Sequence, residues 1–340
     1  MAIIVAVRSG NWSDTSHVTG PWPGASTPTT KPGVGDTVQA GEFVVEIDED
    51  ATVALLESTS TGYFRLTSAP ALPAVRTITG AIANSGTAGR VLEVTNPSGL
   101  VFFIGDVTGG SAKNAYAIYN SGGTIGDITG DVTGGSAESA YAIYNSGVIG
   151  DITGDVTAGD ANNACAVYNG GGTIGDITGD LTAGNTNSAW AVYNGGGGTI
   201  GDITGDLTAG DANGAWAVYN DGGGTIGDIT GDMTAGNVDG AWAVYNDGGT
   251  IGDIDGSLIC GATGQFPIFG PFRLVANPAN NVTFCQPNGN PWTLSNDYPA
   301  PADVRSGVDY NRGTMTGEMA AGGSIGPVSI VIGGGGIRIF

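Results

Sequence analysis

Basic residues are scarce in this sequence. Its 340 residues contain 10 Lys and Arg and one His against 32 Asp and Glu, so the formal net charge is −22. The imbalance is greatest from Ile125 to Gly256, where 18 acidic residues occur with no Lys or Arg. A uniformly negative surface repels phosphate groups, so we predict neither a nucleic-acid partner nor a membrane partner for this segment.

Long apolar runs are also missing. No stretch is long enough to span a bilayer as a helix. The start, MAIIVAVRSGNW, has no basic segment and no small-residue cleavage site, so we expect no signal peptide and synthesis in a cytoplasm. The three cysteines do not suit a disulfide framework. Cys165 is predicted as a buried apolar filler, whereas Cys260 and Cys285 either stay reduced or pair after late oxidation.

One phrase dominates the middle of the chain. IGDITGDVTAG, a polar spacer, AWAVYN and a glycine run recur six times, with small changes, between Ile104 and Ile254. The asparagines that close the AxAxYN phrase are 24 to 26 residues apart, at Asn120, Asn145, Asn169, Asn194, Asn220 and Asn246. A fixed period of this length indicates a solenoid, a propeller or another repeat array.

The composition of one repeat selects among these architectures. Gly, Asp, Asn, Thr and β-branched residues disfavour helices, while short runs of Val, Ile, Thr, Tyr and Trp between glycines are typical of strands and turns. A propeller blade needs about 40 residues. We therefore predict an all-β fold, a parallel β-helix with rungs of about 25 residues stacked about 4.8 Å apart.

The predicted organisation has four parts. Residues 1–35 form an N-terminal cap or attachment segment, residues 36–103 form irregular early rungs, residues 104–256 form the regular repeats, and residues 257–340 form a C-terminal β cap and oligomerisation region. Outside the repeats, strands are predicted from Pro32 to Leu56 with a turn at Ala40-Gly41, and at GYFRLTS, RTITGAIA, RVLEVTN and a last pair in SIGPVSIVIGGGGIRIF.

Stacking places equivalent residues of successive rungs above one another. The asparagine column either forms a ladder of side-chain amides or occupies a bend that tolerates the left-handed conformation. Three apolar columns are predicted to build the core: Ile125, Ile149, Ile174, Ile200, Ile226 and Ile251; Ile128, Ile152, Ile177, Ile203, Ile229 and Ile254; and Ile118, Ile143, Val167, Val192, Val218 and Val244.

Paired aspartates are the first candidate for chemistry. They recur at Asp127/Asp131, Asp151/Asp155, Asp176/Asp180, Asp202/Asp206 and Asp228/Asp232. Two carboxylates can hydrolyse a glycosidic bond, but a catalytic pair needs a particular environment that separates its two pKa values, and identical pairs have nearly identical surroundings. We interpret them as acceptors of backbone N–H bonds in turns. The calcium-binding nonapeptide is absent, and we predict no metal and no cofactor.

Two other features carry candidate sites. A catalytic triad would need His17, which we interpret as an ordinary loop histidine. The aromatic column Tyr116, Tyr141, Cys165, Trp190, Trp216 and Trp242 runs beside Tyr119, Tyr144, Tyr168, Tyr193, Tyr219 and Tyr245. Strand alternation predicts that these columns lie on opposite faces, with Trp190, Trp216 and Trp242 either stabilising the coil or forming a strip that contacts a glycan or a partner.

Two resemblances add to this interpretation. AYAIYNSGGTIGDITGDV, from Ala115 to Val132, resembles the GGAIYN-type and IGDITGD-type repeats of autotransporter-like bacterial adhesins, which form right-handed β-helices. This chain has Ala-Trp or Ala-Tyr in place of Gly-Gly, and because we expect neither a secretory signal nor a membrane barrel, we do not predict a surface-anchored autotransporter. SGNWSDTS, PGVGDTVQAGEFVVEID and YPAPADVRSGVDYNRGTMTGEMA are similar to the ends of virion structural proteins of tailed bacteriophages.

The resemblances imply a non-enzymatic structural protein of a tailed-phage virion, as capsid decoration, cement or tail fibre. Expected partners are further copies in a homotrimer, other virion proteins and host surface polysaccharide. The alternatives are a tailspike-type polysaccharide depolymerase and a glycan-binding adhesin without catalysis. No insertion longer than a rung supplies a cleft for the former. Candidate interface residues are those with no counterpart in the repeats: Trp12, Trp22, Trp292, Arg305, Arg312, Arg338 and Phe340.

Overall fold

A computed structural model describes residues 2–16, 20–23, 31–66, 75–86, 89–95, 100–236 and 241–259, together with the backbone of eight short strands between residues 268 and 339. Parallel strands wind into a β-solenoid of about eight turns, with about 25 residues in each turn. No helix occurs among the residues that are described. The prediction of a parallel β-helix is confirmed.

The solenoid has two walls in its described part. The first, called here the aromatic sheet, comprises Gly10–Asn11, Val44–Glu46, Tyr63–Leu66, Arg90–Val94, Tyr116–Asn120, Ile143–Asn145, Cys165–Gly170, Trp190–Gly195, Trp216–Asp221, Trp242–Asp247, Ile268–Pro271, Ile330–Gly333 and Gly336–Ile339. Each of its repeat strands pairs in parallel with the equivalent strand one turn along the chain.

The second wall, called here the threonine–aspartate sheet, is built from shorter strands. They are Ile3–Val5, Thr37–Gln39, Ala51–Ser58, Val75–Asn84, Leu100–Ile104, Val107–Thr108, Thr124–Thr129, Val132–Thr133, Val148–Ile149, Ile152–Thr153, Val156–Thr157, Thr173–Ile174, Ile177–Thr178, Leu181–Thr182, Thr199–Ile200, Ile203–Thr204, Leu207–Thr208, Thr225–Ile226, Ile229–Thr230, Met233–Thr234, Thr250–Ile251, Asp253–Asp255, Leu258–Ile259, Arg273–Leu274, Val282–Cys285 and Pro291–Leu294.

The predicted core columns are buried and in register. In the second column Ile203 pairs with Ile229, and both side chains are 0% exposed. The other two columns are equally enclosed, with Ile251 the most exposed member at 6%. Because each apolar side chain rests on an equivalent one, the interior has nearly the same cross-section in every turn.

The asparagine column forms the predicted amide ladder. All six side chains are buried, and the Nδ2 group of each of the first five donates to the Oδ1 atom of the asparagine one turn on, at 2.8–2.9 Å. Asn194 Nδ2 also donates to the carbonyl oxygens of Gly198 and Thr225, both at 3.1 Å. These bonds satisfy buried polar groups that would otherwise destabilise the core.

The left-handed conformation belongs to a different column. Asn114, Ser139, Asn163 and Ser188 have φ between 56° and 59°, and all four lie in the polar spacer that precedes the AxAxYN strand. Gly214, with a φ of 68°, continues this column. The left-handed bend, which was the alternative role suggested for the buried asparagines, is therefore formed by residues of the spacer.

Residues predicted as a cap or as early rungs already take part in the solenoid. Ile3–Val5 pairs in parallel with Thr37–Gln39, which pairs in turn with Ala51–Ser58. The predicted turn at Ala40-Gly41 is present, and Gly41 has a φ of 63°. The other strands predicted before the repeats form at Tyr63–Leu66, Val75–Asn84 and Arg90–Val94.

The C-terminal segment continues the parallel pairing at Ile268–Pro271, Arg273–Leu274 and Val282–Cys285, and antiparallel pairs are then added. Val282–Cys285 and Pro291–Leu294 form an antiparallel hairpin, and so do Ile330–Gly333 and Gly336–Ile339, the predicted last strand pair. Asp309–Tyr310 pairs with Met315–Thr316 in the same sense. Cys260 lies outside the described residues, as does the side chain of Cys285, so the pairing of these two cysteines stays open.

None of the described residues forms a helix that is long and apolar enough to cross a membrane.

Candidate functional site

The outer surface of the threonine–aspartate sheet carries the predicted aspartate pairs. Asp176 Oδ1 accepts the backbone N–H of Asp202 at 2.9 Å, and Asp180 Oδ1 accepts that of Asp206 at 2.9 Å. The same bonds recur along both columns at 2.7–3.1 Å. Each carboxylate therefore connects its own turn to the next one.

Two glycine columns make this arrangement possible. A Cβ atom on Gly201 would lie 2.3 Å from Asp176 Oδ1, so the carboxylate can occupy its position only above a glycine. Gly205 has a φ of +144°, and a Cβ there would lie 2.1 Å from the carbonyl oxygen of Gly179. The IGDITGD phrase thus combines carboxylate acceptors with the glycines that give them room.

The interpretation of these aspartates as backbone acceptors is confirmed. The partner is the equivalent residue one turn further, rather than a residue in the same turn. Among the described residues, no group of three or more His, Cys, Asp or Glu side chains is arranged to hold a metal ion.

The outer surface of the aromatic sheet carries a continuous row of rings, called here the aromatic strip. Adjacent ring centroids lie 4.6–6.3 Å apart along the whole row. All its rings are partly exposed. Its members are Tyr116, Tyr119, Tyr141, Tyr144, Tyr168, Trp190, Tyr193, Trp216, Tyr219, Trp242 and Tyr245.

The prediction that the two aromatic columns lie on opposite faces is wrong. The rings of Tyr116 and Tyr119 stack on one face, with centroids 5.3 Å apart and planes 14° apart. Between them, the N–H groups of Ala117 and Ile118 both donate to the following turn, to Tyr141 O and Ala142 O. Successive donors in a regular strand point in opposite directions, so this bulge cancels the alternation and turns both rings outward.

The strip has two halves that differ in ring geometry. From Tyr141 through Tyr168 to Tyr193 the planes are only 3° to 6° apart, so the rings cover one another's faces. Tyr219 lies at 58° to Tyr193 and at 54° to Tyr245. A tilted ring leaves part of its face uncovered by its neighbours, so the strip is more open around Tyr219.

Loss of solvation raises the pKa of five tyrosines of the strip, which are Tyr116, Tyr141, Tyr168, Tyr193 and Tyr219. Loss of solvation, with smaller effects from neighbouring tyrosines, raises the pKa of Tyr168 to about 12. The pKa of Tyr219 is also raised to about 12, first by loss of solvation and then by the adjacent carboxylate of Asp221. Cys165, predicted as a buried filler, is 0% exposed, and burial raises the pKa of its thiol.

Arg90 closes the N-terminal end of the strip. Its guanidinium carbon lies 4.9 Å from the ring centroid of Tyr119 and 5.4 Å from that of Tyr63, and Nη1 forms an ion pair with Glu93 Oε1 at 2.8 Å. Sequence reasoning missed this group because Arg90 precedes the regular repeats. The available signal was that Arg90 and Glu93 precede Tyr116 and Tyr119 by one period of the repeat.

Two of the candidate interface residues lie inside the protein. Trp12 and Trp22 are both 1% exposed, with rings in edge-to-face contact at 4.9 Å, and Trp22 Nε1 donates to Trp12 O at 2.9 Å. The two indoles fill the interior of the first turn, whereas a surface anchor must be exposed to its partner.

Most other candidate interface groups lie outside the description. Arg305, Arg312, Phe340 and the loop histidine His17 are not among the described residues. Trp292 and Arg338 lie in strands whose side chains are likewise not described.

The basic residues before the repeats are engaged within the chain. Lys31 pairs with Glu49, and Arg65 Nε pairs with Glu46 Oε2 at 3.0 Å. Arg76 is fully buried, where Nη1 donates to Ile47 O at 2.6 Å and loss of solvation lowers its pKa. Their distribution toward the ends of the chain therefore has a structural explanation for these three residues.

Comparison with protein-family models, with curated proteins and with solved structures finds no match to this chain.

Proposed function

We propose that this chain is a non-enzymatic structural protein of a tailed-phage virion, in which the solenoid is a stiff acidic shaft. The observation that carries the proposal is the unbroken set of side-chain ladders along the solenoid axis. Asparagine amides, aspartate carboxylates and aromatic rings each connect one turn to the next, in addition to the backbone bonds between strands.

This redundancy is what a shaft needs. Each turn contacts only its neighbours, so resistance to bending depends on the interactions between adjacent turns. Three kinds of side-chain contact on different parts of the cross-section oppose bending in more than one direction. The strongly negative surface keeps shafts apart from one another and from nucleic acid.

The virion assignment is supported by the resemblance of the two ends of the sequence to phage structural proteins. Capsid decoration, cement and tail fibre are all compatible with a shaft, and a homotrimer is the expected assembly. A depolymerase is the weaker alternative, because the described aspartates recur in the same backbone-bonded position in turn after turn.

The location can be tested on particles of the phage whose genome encodes the chain. Particles purified on a density gradient would be analysed by mass spectrometry, and antibodies against the recombinant chain would be used to label them for electron microscopy. We expect the chain to migrate with the particles and the antibodies to label their exterior. Recovery of the chain only in particle-free fractions would overturn the proposal.

A pair of deletions tests which part of the chain attaches it. Removing residues 176–201 deletes one repeat and should leave particle binding intact, whereas removing residues 299–340 should abolish particle binding or oligomerisation. Binding would be measured by co-sedimentation of the recombinant variants with particles that lack the chain. Loss of binding in the repeat deletion alone would show that the shaft itself is the attachment surface.

A further inference from the structure

The last two turns of the aromatic strip depart from the other repeats at one position. The position lies directly after the ladder asparagine. The first four repeats have Ser121, Ser146, Gly170 and Gly195 there, and the last two have Asp221 and Asp247. The two aspartates are adjacent, because Asp221 and Asp247 pair in register. In an array of near-copies, a change confined to neighbouring turns marks a local property of the surface.

The first of these aspartates, Asp221, lies beside the tilted ring of Tyr219. In the stacked half, the Tyr193 ring leans over Gly195, where an added Cβ would lie 2.8 Å from the ring. Asp221 carries a side chain at the equivalent position and accepts a hydrogen bond from the Tyr219 hydroxyl. The Tyr219 ring, held to Asp221 through its hydroxyl, is tilted, and its plane is 57° from that of Trp216.

The N-terminal end of the same strip shows which group such a surface accepts. There, the Arg90 guanidinium lies over the Tyr119 ring while a carboxylate, Glu93, balances its charge. Glu93 pairs in register with Tyr119, so ring and carboxylate occupy adjacent turns of one sheet. Aromatic faces attract guanidinium and ammonium groups, and a carboxylate beside the ring strengthens the attraction.

We propose that the C-terminal end of the strip binds Arg or Lys side chains of a protein partner. The site, called here the acidic aromatic patch, consists of Trp216, Tyr219, Asp221, Trp242, Tyr245 and Asp247. Like the Arg90 group, it combines partly exposed rings with carboxylates on neighbouring turns. The guanidinium of a partner would lie against the tilted rings and pair with Asp221 or Asp247.

Charge complementarity selects this occupant. The sequence from Asn114 to Phe272 contains no Lys, Arg or His, so the repeats supply no cation of their own to the patch. A polyanion is repelled, and a neutral ligand can accept no charge pairing from the two added carboxylates, whereas a cation can. The inference does not depend on the virion assignment, because it rests on the patch alone.

The probe for this site is a hexa-arginine peptide, with hexa-lysine and the neutral oligosaccharide maltohexaose as comparisons. Binding to the full chain would be measured by isothermal titration calorimetry at fixed ionic strength. The double variant Asp221→Ser with Asp247→Ser introduces serine, which the fold already carries at the equivalent positions Ser121 and Ser146. Asp202→Asn with Asp228→Asn removes the same amount of charge from the threonine–aspartate sheet and serves as the matched control.

We expect hexa-arginine to bind more tightly than hexa-lysine, because the planar guanidinium stacks on rings. The double serine variant should weaken hexa-arginine binding about fivefold or more, and the double asparagine variant by less than about twofold. Equal weakening in both variants would reduce the binding to general electrostatics and overturn the proposal. Unchanged binding in the serine variant, or binding of maltohexaose without hexa-arginine, would overturn it as well.

Discussion

The two outer surfaces of the solenoid enclose one core and use opposite chemistry. On the threonine–aspartate sheet, outward side chains bond to the backbone of the next turn, as Asp176 does with Asp202. On the aromatic sheet, outward side chains stack on one another, as Tyr168 does with Tyr193 at 4.6 Å. A repeat can therefore be stabilised along its axis either by hydrogen bonds to the backbone or by ring contacts.

The comparison also explains why only one surface varies. A carboxylate that occupies the space above a glycine tolerates little change, since Gly201 must lack a Cβ for Asp176 to fit. Stacked rings tolerate exchange of Tyr for Trp, and even the Cys165 position is accommodated because Tyr141 packs against Tyr168 at 5.1 Å. The aromatic surface can therefore acquire a local specialisation such as Asp221 without loss of the solenoid.

The largest effect is expected where both surfaces depend on the shared core. Ile203→Asp places an unpaired carboxylate in a fully buried column and should lower the free energy of unfolding by about 3 to 5 kcal/mol. Thr204→Asp, one residue away and exposed, is the control and should change it by less than about 0.5 kcal/mol. Hydrogen exchange should show the damage of Ile203→Asp concentrated in adjacent turns, whereas uniform loss of protection along the array would contradict coupling between neighbours only.

Breaking the asparagine ladder should have the next largest effect. Asn194→Ala removes the donor to Asn220 and the acceptor for Asn169, and it takes one donor from the carbonyl oxygens of Gly198 and Thr225. We expect a loss of about 3 kcal/mol in the free energy of unfolding, measured by chemical denaturation. Asn187→Ala, whose side chain is exposed, should be nearly neutral, and similar losses in both variants would contradict a special role for the ladder.

Alkaline pH should destabilise the aromatic sheet in particular, because the titrating tyrosines lie on it. The folded-state pKa values of Tyr168 and Tyr219, about 12, exceed the ordinary value of 10.0. Their contribution to stability is therefore complete below pH 10 and is lost as the pH rises from 10 through 12. Tyrosinate absorbance and thermal unfolding would follow the transition, which Tyr168→Phe and Tyr219→Phe should diminish. Titration of all the tyrosines near pH 10 without destabilisation would contradict this account.

The smallest effect is expected from a single aspartate. Asp202→Ala removes the acceptor for the Asp228 N–H and should destabilise the fold by about 1 kcal/mol. Asp202→Asn keeps an acceptor oxygen and reduces repulsion along the column, so it should be neutral or stabilising. Thermal unfolding at low and high salt would check this, and equal destabilisation by both substitutions would show that charge matters more than the hydrogen bond.

The sequence period was sufficient to predict the fold and the core. Repetition at 24 to 26 residues assigns Ile203 and Ile229 to one column, and burial follows because removal of a continuous apolar column from water stabilises the coil. The amide ladder was one of two roles that the buried asparagines allowed. Choosing between those roles required the conformation of the spacer, where Asn114 and Ser139 adopt the left-handed region instead.

The candidate site was less predictable. A strict alternation of side chains separates Tyr116 from Tyr119, and no residue type signals the bulge at Ala117 and Ile118 that brings them together. The tilt of Tyr219 likewise has no signal in the sequence, because the same AWAVYN phrase contains the flat Tyr193 ring. The Asp221 carboxylate was visible in the sequence, but the geometry of the ring beside it was not.

The central claim is that the turns of the solenoid are interchangeable elements of a structural shaft. A series with one repeat deleted by removal of residues 176–201, the unaltered chain, and one repeat duplicated over the same residues tests it most directly. Electron microscopy and X-ray scattering should show the long dimension changing by about 4.8 Å for each turn, with far-ultraviolet circular dichroism per residue unchanged. Collapse of the β-sheet signal in the deletion, or a length that does not change with the number of repeats, would contradict the claim.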